Sequence, residues 1–468
     1  MNRVVGIETE YGCLVTGDVS GNPESWPARV KNHLFKKAKA GVIDLHYRDY
    51  EEPPGNGGFL LNGGRLYIDM GHLEYASPEC RMVRDAVAYD RAGDLLLQSA
   101  LEEMGIAESV AFVKNNIDHV TGATFGCHEN YLMRRDLQFN SRILGTLLSF
   151  LATRQIFTGA GRVGQASPLA FDFEQPNRGQ PIDFQLSQRA DHIVNDIYQW
   201  VQFNRAIINA RDEPLADFRR YRRLHLLIGD SNMSPFANAL KLGTTSCILT
   251  LMEEGSLPED VILRDAVIAT RQISHEGTGR AVVELEDGRS RDVLDLQDAF
   301  LAHAQRELGG RDEETDWILA MWAFTLTGLR TNPESLIGGV DWISKRWLLD
   351  SFRESEGLTW QDPWLQSLDL EYHNLNPDKG LFFALPAEGA IGEFNASMQR
   401  PETMRTPPAD TRAAGRGHAV ALFQECHAPY VINWDSVALE NGDYLAMPDP
   451  FHTYEQEAAA LVDTVAAE

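Results

Sequence analysis

The sequence predicts an α+β protein: a large first domain, residues 1–384, in which a sheet packs on helices, and a small C-terminal domain, residues 385–468. Three observations carry this. Strand-like segments with alternating polar and apolar residues recur between helical ones up to about residue 285. Helical patterns dominate from there, through LDLQDAFLAHAQREL, TDWILAMWAFTLTG and WISKRWLLDSFRESEG. A Pro-rich, less regular stretch from about 385 then ends in strand-like VINWDSVALENG. At 468 residues the chain exceeds a typical domain, and it shows no internal repeat.

In order, Arg3 to Gly12 reads as a strand that Tyr11-Gly12 begins to close, and VKNHLFKKAKAG as a short helix. HYRDYEEPPGNGG reads as a polar loop or insertion, and Phe59 to Met70 as one strand. From Arg81, RMVRDAVAYDRAGDLLLQSALEEMG has apolar residues at helical spacing. SVAFVKNN and CHENYLM read as strands, NSRILGTLLSFLATRQIF as a buried helix, AIINARDE and RRLHLLIGD as strands, and NALKLGTTSCILTLMEEG as a helix. QASPLAFDFEQPNRGQPID has the length of a functional loop.

Composition excludes several classes. Lys+Arg 42 against Asp+Glu 68 gives −26, which argues against nucleic-acid binding through phosphate neutralisation. No run approaches a membrane span and the N-terminus lacks a signal-peptide pattern, so a cytoplasmic protein is expected, with no membrane partner. Cys13, Cys80, Cys127, Cys247 and Cys426 are odd in number, far apart and without CxxC spacing, so reduced thiols, mostly core, are expected.

The chemistry gathers on strand faces. Glu8 and Glu10 in GIETEYG are two apart and project together; two carboxylates on one face are a solvated surface or ligands for a hard cation. Arg65, Tyr67 and Asp69 alternate in NGGRLYIDMGHLEY against apolar Leu66 and Ile68, and Glu74 follows in what reads as a loop. His128 and Asn130 give a third polar face, and Arg223 and His225 a fourth. Metal-plus-phosphate chemistry is the natural class: carboxylates hold Mg2+, arginines grip phosphate, and a spare carboxylate acts as base or nucleophile. Other signals are discounted. GAGRVG at 159–164 follows a helical stretch and reads as a helix-terminating turn rather than a dinucleotide fingerprint. No GxxxxGK[ST] is present. Cys127 and His128 lie on opposite strand faces and cannot pair as nucleophile and base. FRRYRR at 218–223 is a solvated strand entry or a patch for an acidic partner.

GIETEYG, LNGGRLYIDMGHLEYASPEC, FVKNN, GCHENYL, FQLSQRADHI, IINARDEP, YRRLHLLIGDSN and PPADTRAAGRG together resemble the family of the Pup ligase and the Pup deamidase/depupylase, in the glutamine synthetase-like superfamily. The resemblance covers nearly the whole chain. It implies a curved antiparallel sheet cradle on helices, binding ATP (or ADP plus phosphate) and Mg2+, with the small C-terminal domain completing the nucleotide site. A groove would take a Pup-like modifier of a bacterial proteasome pathway, whose C-terminal Glu or Gln enters the site. By the same resemblance Asp69 is the catalytic carboxylate. Glu8, Tyr67, Glu74, Glu10 and His225 are metal ligands; Arg65, Ser77 and Trp434 contact ATP; and Arg211 grips phosphate or the incoming glutamate.

The two branches run opposite reactions. The ligase makes an isopeptide bond to a target lysine through a γ-glutamyl phosphate; the hydrolase cleaves that bond or deamidates a terminal Gln. Spacing from Asp69 to Glu74 resembles the depupylase, the ligase having one residue more, and HYRDYEEPPGNGG is similar to a shortened depupylase loop. FTGAGRVG, FQLSQR, LLDSFRESEGLTW and NPDKGLF also resemble that branch. ISHEGTGR and DPF resemble the ligase, and Leu73 stands where both usually have proline. A depupylase/deamidase is expected, with the ligase as the alternative. Two readings from other classes are a small-molecule carboxylate–amine ligase or kinase with a closed pocket, and a nucleotide-binding module without turnover.

Overall fold

The computed structural model describes residues 3–16, 23–48, 52–119, 121–165, 182–199, 205–386, 389–425 and 430–466. Its centre is a ten-stranded sheet. The strands are β1 (Val5–Val15), β2 (Gly41–Ile43), β3 (Gly57–Leu60), β4 (Arg65–Asp69), β5 (His72–Ala76), β6 (Val110–Val113) and β7 (Cys127–Arg134). A separate pair, β8 (Arg162–Val163) with β9 (Phe184–Gln185), lies off the sheet, which resumes with β10 (Asn195–Tyr198), β11 (Ala206–Asn209) and β12 (Tyr221–Leu226). The order is β10-β11-β12-β7-β1-β5-β4-β3-β2, with β6 on the far half of β1. Pairing is antiparallel except between β10 and β11. The sheet is therefore antiparallel, as expected, but for one parallel pair at its edge that makes it mixed.

Alternation builds the two faces. Along β1, Val5, Ile7, Thr9 and Tyr11 are buried while Gly6, Glu8 and Glu10 are half-buried. The buried face packs on α2 (Val83–Glu103) and, behind β7, on α5 (Pro235–Glu253). That face is less apolar than alternation suggests. Thr9 donates to Asp90 and Tyr11 to Asp94, both on α2, where Lys114 pairs with the two aspartates. Glu129, between His128 and Asn130, is fully buried and pairs with Arg154. Paired in this way, the charges can sit in a core.

Local chemistry sets the helix ends. Ser234 caps α5 through Ala237 N with Pro235 in the first turn, and Asn140 caps the helix Ser141–Thr153 through Ile143 N. The first helix covers Trp26–Lys36, earlier than the sequence pattern places it, because Gly41–Ile43 pairs as β2. Phe59 to Met70 is two strands: Asn62 Oδ1 accepts from Gly64 N and turns the chain between β3 and β4. The GAGRVG turn does end a helix, Gln155–Thr158, before β8 begins. Cys80, Cys127 and Cys247 are buried and Cys13 is half-buried, all unpaired; Cys426 and most of the 165–183 loop lie outside the described residues. Among the described residues no helix is long and apolar enough to cross a membrane.

Among the described residues, three hydrophobic clusters form the core. The largest unites the helices with the buried face of the sheet, and a second fills the space among the first helix, α2, β4 and β5. A third joins Val42 and Phe59 of the sheet to Ala419, Val420 and Phe423 on the helix Ala413–Glu425 and to the strands Tyr430–Ile432 and Ser436–Leu439.

Candidate active site

Strand register assembles the exposed face into rows. Glu10 of β1 stands opposite Glu74 of β5, and Glu74 opposite Tyr67 of β4. One step along, His128 of β7 faces Glu8, Glu8 faces Ala76, and Ala76 faces Arg65. His225 of β12 lies beside Asn130 of β7. Glu74 thus sits within a strand, not a loop, because Met70 (φ 43°) and Gly71 (φ 94°) close a two-residue hairpin that sets Asp69 opposite His72. The non-glycine at the first left-handed position hid that turn.

Two groups of ligand-type atoms result. Those of Glu8, His128 and His225 lie within 4.8 Å of one another, as do those of Glu10, Asp69 and Glu74. His128 Nδ1 is 3.3 Å from Glu8 Oε2, Asn130 Nδ2 donates to Glu8 Oε1 at 3.1 Å, and Arg223 Nη1 stands 4.0 Å from the same oxygen. Burial alone would raise the Glu8 pKa, yet the His128 hydrogen bond and the nearby positive charge hold it well below the carboxylate range. Burial pushes His225 down to about 3, so its ring is neutral and its 3.6 Å contact with Glu8 is no ion pair. Its Nε2 is buried without a hydrogen-bond partner among the described residues.

Glu74 is the opposite case. Burial, then the charges of Glu10, Glu8 and Asp69, drive its pKa well above the usual value. Tyr67, hydrogen-bonded to Glu74, is raised by burial and then by the charges of Glu74 and Glu8. Negative charge here exceeds what the protein itself compensates, and a cation among these oxygens would reverse both shifts.

The remaining predicted residues divide. Ser77 and Trp434 line one cleft with Gly6, Glu8, Arg223 and Arg412. Ser77 Oγ accepts from Ile7 N at 2.9 Å, and the Trp434 ring meets Phe59 edge-on at 5.2 Å with Arg416 4.7 Å from its centre. Arg65 lies 4.6 Å over the Tyr67 ring but directs Nη2 to Asp44, just after β2, at 3.1 Å and to Glu52 of the polar loop at 2.5 Å. Arg211 is exposed and pairs with Glu213 at 2.7 Å.

His128 and Asn130 belong to the site more closely than a polar strand face alone indicated, since both bond Glu8. Gly126 is a residue the sequence reading did not single out: a Cβ there would lie 2.4 Å from Glu10 Oε1 and 2.6 Å from His128 Nε2. Its only signal is a glycine two positions before a site histidine.

Comparison with known proteins identifies the family to which the chain belongs. Residues 3–438 match the Pup-ligase protein family. The depupylase of Acidothermus cellulolyticus is 37% identical, over 94% of this chain and 91% of that protein. The Pup–protein ligase of Kineococcus radiotolerans is 36% identical, over 99% of each. The Pup ligase PafA superposes at TM-score 0.81 in its complex with Pup (29% identity; 100% of this chain, 93% of that one). In its complex with ADP it superposes at 0.76 (29%; 97% and 95%). A match across nearly the whole length, in sequence and in fold, leaves one conclusion: the chain belongs to the Pup-ligase protein family.

Proposed function

We propose that this protein is an ATP- and Mg2+-dependent depupylase. It hydrolyses the isopeptide bond between the C-terminal Glu of a Pup-like modifier and a target lysine, or deamidates a C-terminal Gln. The observation that carries the hydrolytic direction is the hairpin between Asp69 and Glu74. Its two-residue turn puts the Asp69 carboxylate beside Glu10 and Glu74, and the Asp69-to-Glu74 spacing is the one that, by the sequence resemblance, goes with the depupylase branch.

The donor set fits a divalent cation through its clustered carboxylate oxygens, with the neutral ring of His225 beside Glu8 and its Nε2 without a hydrogen-bond partner among the described residues. Glu8, Glu10, Tyr67, Glu74 and His225 would hold Mg2+; Ser77, Trp434, Arg65 and Arg211 would serve the nucleotide, in line with the ADP bound by the structural relative. When bound, Mg2+ and nucleotide supply the positive charge and phosphate that position the reacting carbonyl.

The chain's own residues do the rest. Asp69, half-buried at the end of β4, either attacks the γ-carbonyl, giving an anhydride that water then hydrolyses to restore the free carboxylate, or draws a proton from a water that attacks directly. The C–N bond breaks and the lysine amine leaves with a proton. Glu8, fixed by His128 and Asn130, keeps the neighbouring ligands oriented. For Arg65 to reach nucleotide, its contacts with Asp44 and Glu52 must open.

The ligase is the second reading, favoured by the structural match to PafA and by relatives named Pup–protein ligase. One experiment separates them. Purified protein with Mg·ATP is given a modifier joined to a target lysine, and in parallel free Glu-ended modifier with target. Release of target supports the depupylase; conjugation without release replaces it by the ligase.

A further inference from the structure

Met70, directly after Asp69, has no part in the chemistry above. It is 77% exposed, the most exposed large apolar side chain among the described residues. It occupies the first position of the two-residue hairpin at φ 43°, with Gly71 at φ 94°, a turn geometry that asparagine or glycine at the first position fits with little strain. A longer side chain costs energy in that conformation, and apolar surface left in water recovers none of it. The fold thus carries a strained, water-exposed methionine beside the reacting carboxylate, and strain of this kind collects at functional sites.

Its neighbours extend the apolar surface. His72, opposite Asp69 across the hairpin, meets the Phe125 ring edge-on at 4.6 Å. That ring closes over Gly12, where a Cβ would lie 3.5 Å from Phe125 Cε2. A largely apolar cleft continues past it, lined by Phe125 with Cys13, Leu14, Val113 and Leu370. Position along the strands gives this surface its direction. β5 runs from His72 to Ala76, so Ser77 and the cleft assigned to nucleotide lie at one end of it, and Met70, His72 and Phe125 lie at the other, past Asp69. Nucleotide closes the first end of the cradle, and an amine that reaches Asp69 enters from the second. The clustered acids Asp69, Glu10 and Glu74 suit an incoming ammonium, and lysine carries a four-carbon stem behind its own.

We propose that Met70, with His72 and Phe125, forms a subsite for the methylene stem of the target lysine and so sets the lysine nitrogen against Asp69. Methionine suits that task because its unbranched, polarisable side chain moulds to a flexible partner. The inference rests on the functional reading above in requiring a bond between the modifier's γ-carbonyl and a lysine nitrogen, and it holds whether that bond is broken or made. It separates the two leaving groups of the proposed enzyme: the lysine of a conjugate has a stem to place, and the ammonia of a terminal Gln has none.

The test compares kcat/KM on two substrates, the modifier joined to the side chain of Nα-acetyl-lysine amide and the modifier ending in Gln, in wild type and Met70→Asn. Asparagine before Gly71 is the pair this turn favours, so the variant removes the apolar side chain and keeps the hairpin, with a thermal midpoint expected to equal or exceed that of wild type. Turnover of the lysine conjugate is expected to fall about tenfold, and deamidation by no more than about twofold. Equal losses on the two substrates overturn the inference and make Met70 a support of Asp69; no loss on either overturns it as well. Release in neither assay rejects the hydrolytic reading alone. The same two proteins are then assayed for conjugation, with Mg·ATP, free Glu-ended modifier and either Nα-acetyl-lysine amide or hydroxylamine, an amine without a stem. A loss confined to the lysine acceptor upholds the subsite, and equal losses, or none, overturn it. No reaction in either direction rejects the functional reading and the inference with it.

Discussion

Glu8 holds its charge because its surroundings supply what ionisation needs: His128 and Asn130 bond it and Arg223 lies close, so the carboxylate is available to a cation over the whole physiological range. Glu8→Ala is expected to weaken Mg2+-dependent nucleotide binding at least tenfold, read by calorimetry at fixed nucleotide and varied Mg2+. Unchanged affinity would remove Glu8 from the ligand set. Gly126 tests positioning instead of ligation. Gly126→Ala forces Glu10 and His128 to shift, and displacements of that size cost on the order of 100-fold in rate. Because both obstacles are side-chain tips, the thermal midpoint should fall only slightly. A parallel collapse of midpoint and rate would make the glycine structural.

At the scale of elements, strand faces were legible and long-range partners were not. Period-two alternation placed Glu8 with Glu10, and Arg65 with Tyr67 and Asp69, on shared faces, because a strand has only two sides. It gave no warning of Glu129, whose partner Arg154 sits at the junction of two helices, or of Arg189, which precedes the short helix Ala190–His192 and has two buried nitrogens without an acceptor among the described residues. Glu79 is another such residue. It leaves the end of β5 and binds Arg412 at 2.8 Å and Arg416, tying the sheet to the start of the helix Ala413–Glu425. Burial alone would raise its pKa, but the two arginines bring it down to about 2. A carboxylate whose folded pKa is depressed contributes stability above its unfolded value and loses it as pH falls toward the folded one. Glu79→Gln should cost about 3 kcal/mol at neutral pH, and between about pH 4.5 and 2 its stability should decline less than that of wild type, measured by denaturant titration. Parallel pH profiles would contradict the linkage.

For the whole molecule, the sheet is shared property. We propose that the C-terminal segment from residue 385 acts as a small unit completing the nucleotide cleft, since Arg412 and Trp434 reach the wall that holds Ser77 and Glu8. Its own core is not self-sufficient: Phe59 of β3 is fully buried in it, edge-on to Trp434. Phe59→Ala should therefore cost about 3–5 kcal/mol by denaturant titration and weaken nucleotide binding together. Lost stability with intact binding would separate the two. The fold class and the family emerged from sequence because long motifs fall on the strands that form the site. The mixed pairing at the β10–β11 edge did not, because sequence patterns carry no strand direction.

The central claim is that Asp69 reacts while its neighbours hold cation and nucleotide. Its most direct test is Asp69→Asn, with nucleotide affinity by calorimetry and cleavage of a modifier–lysine conjugate followed on the same preparation. Turnover reduced by about 1,000-fold or more with affinity nearly intact is the predicted result. Cleavage at close to the wild-type rate would contradict the account.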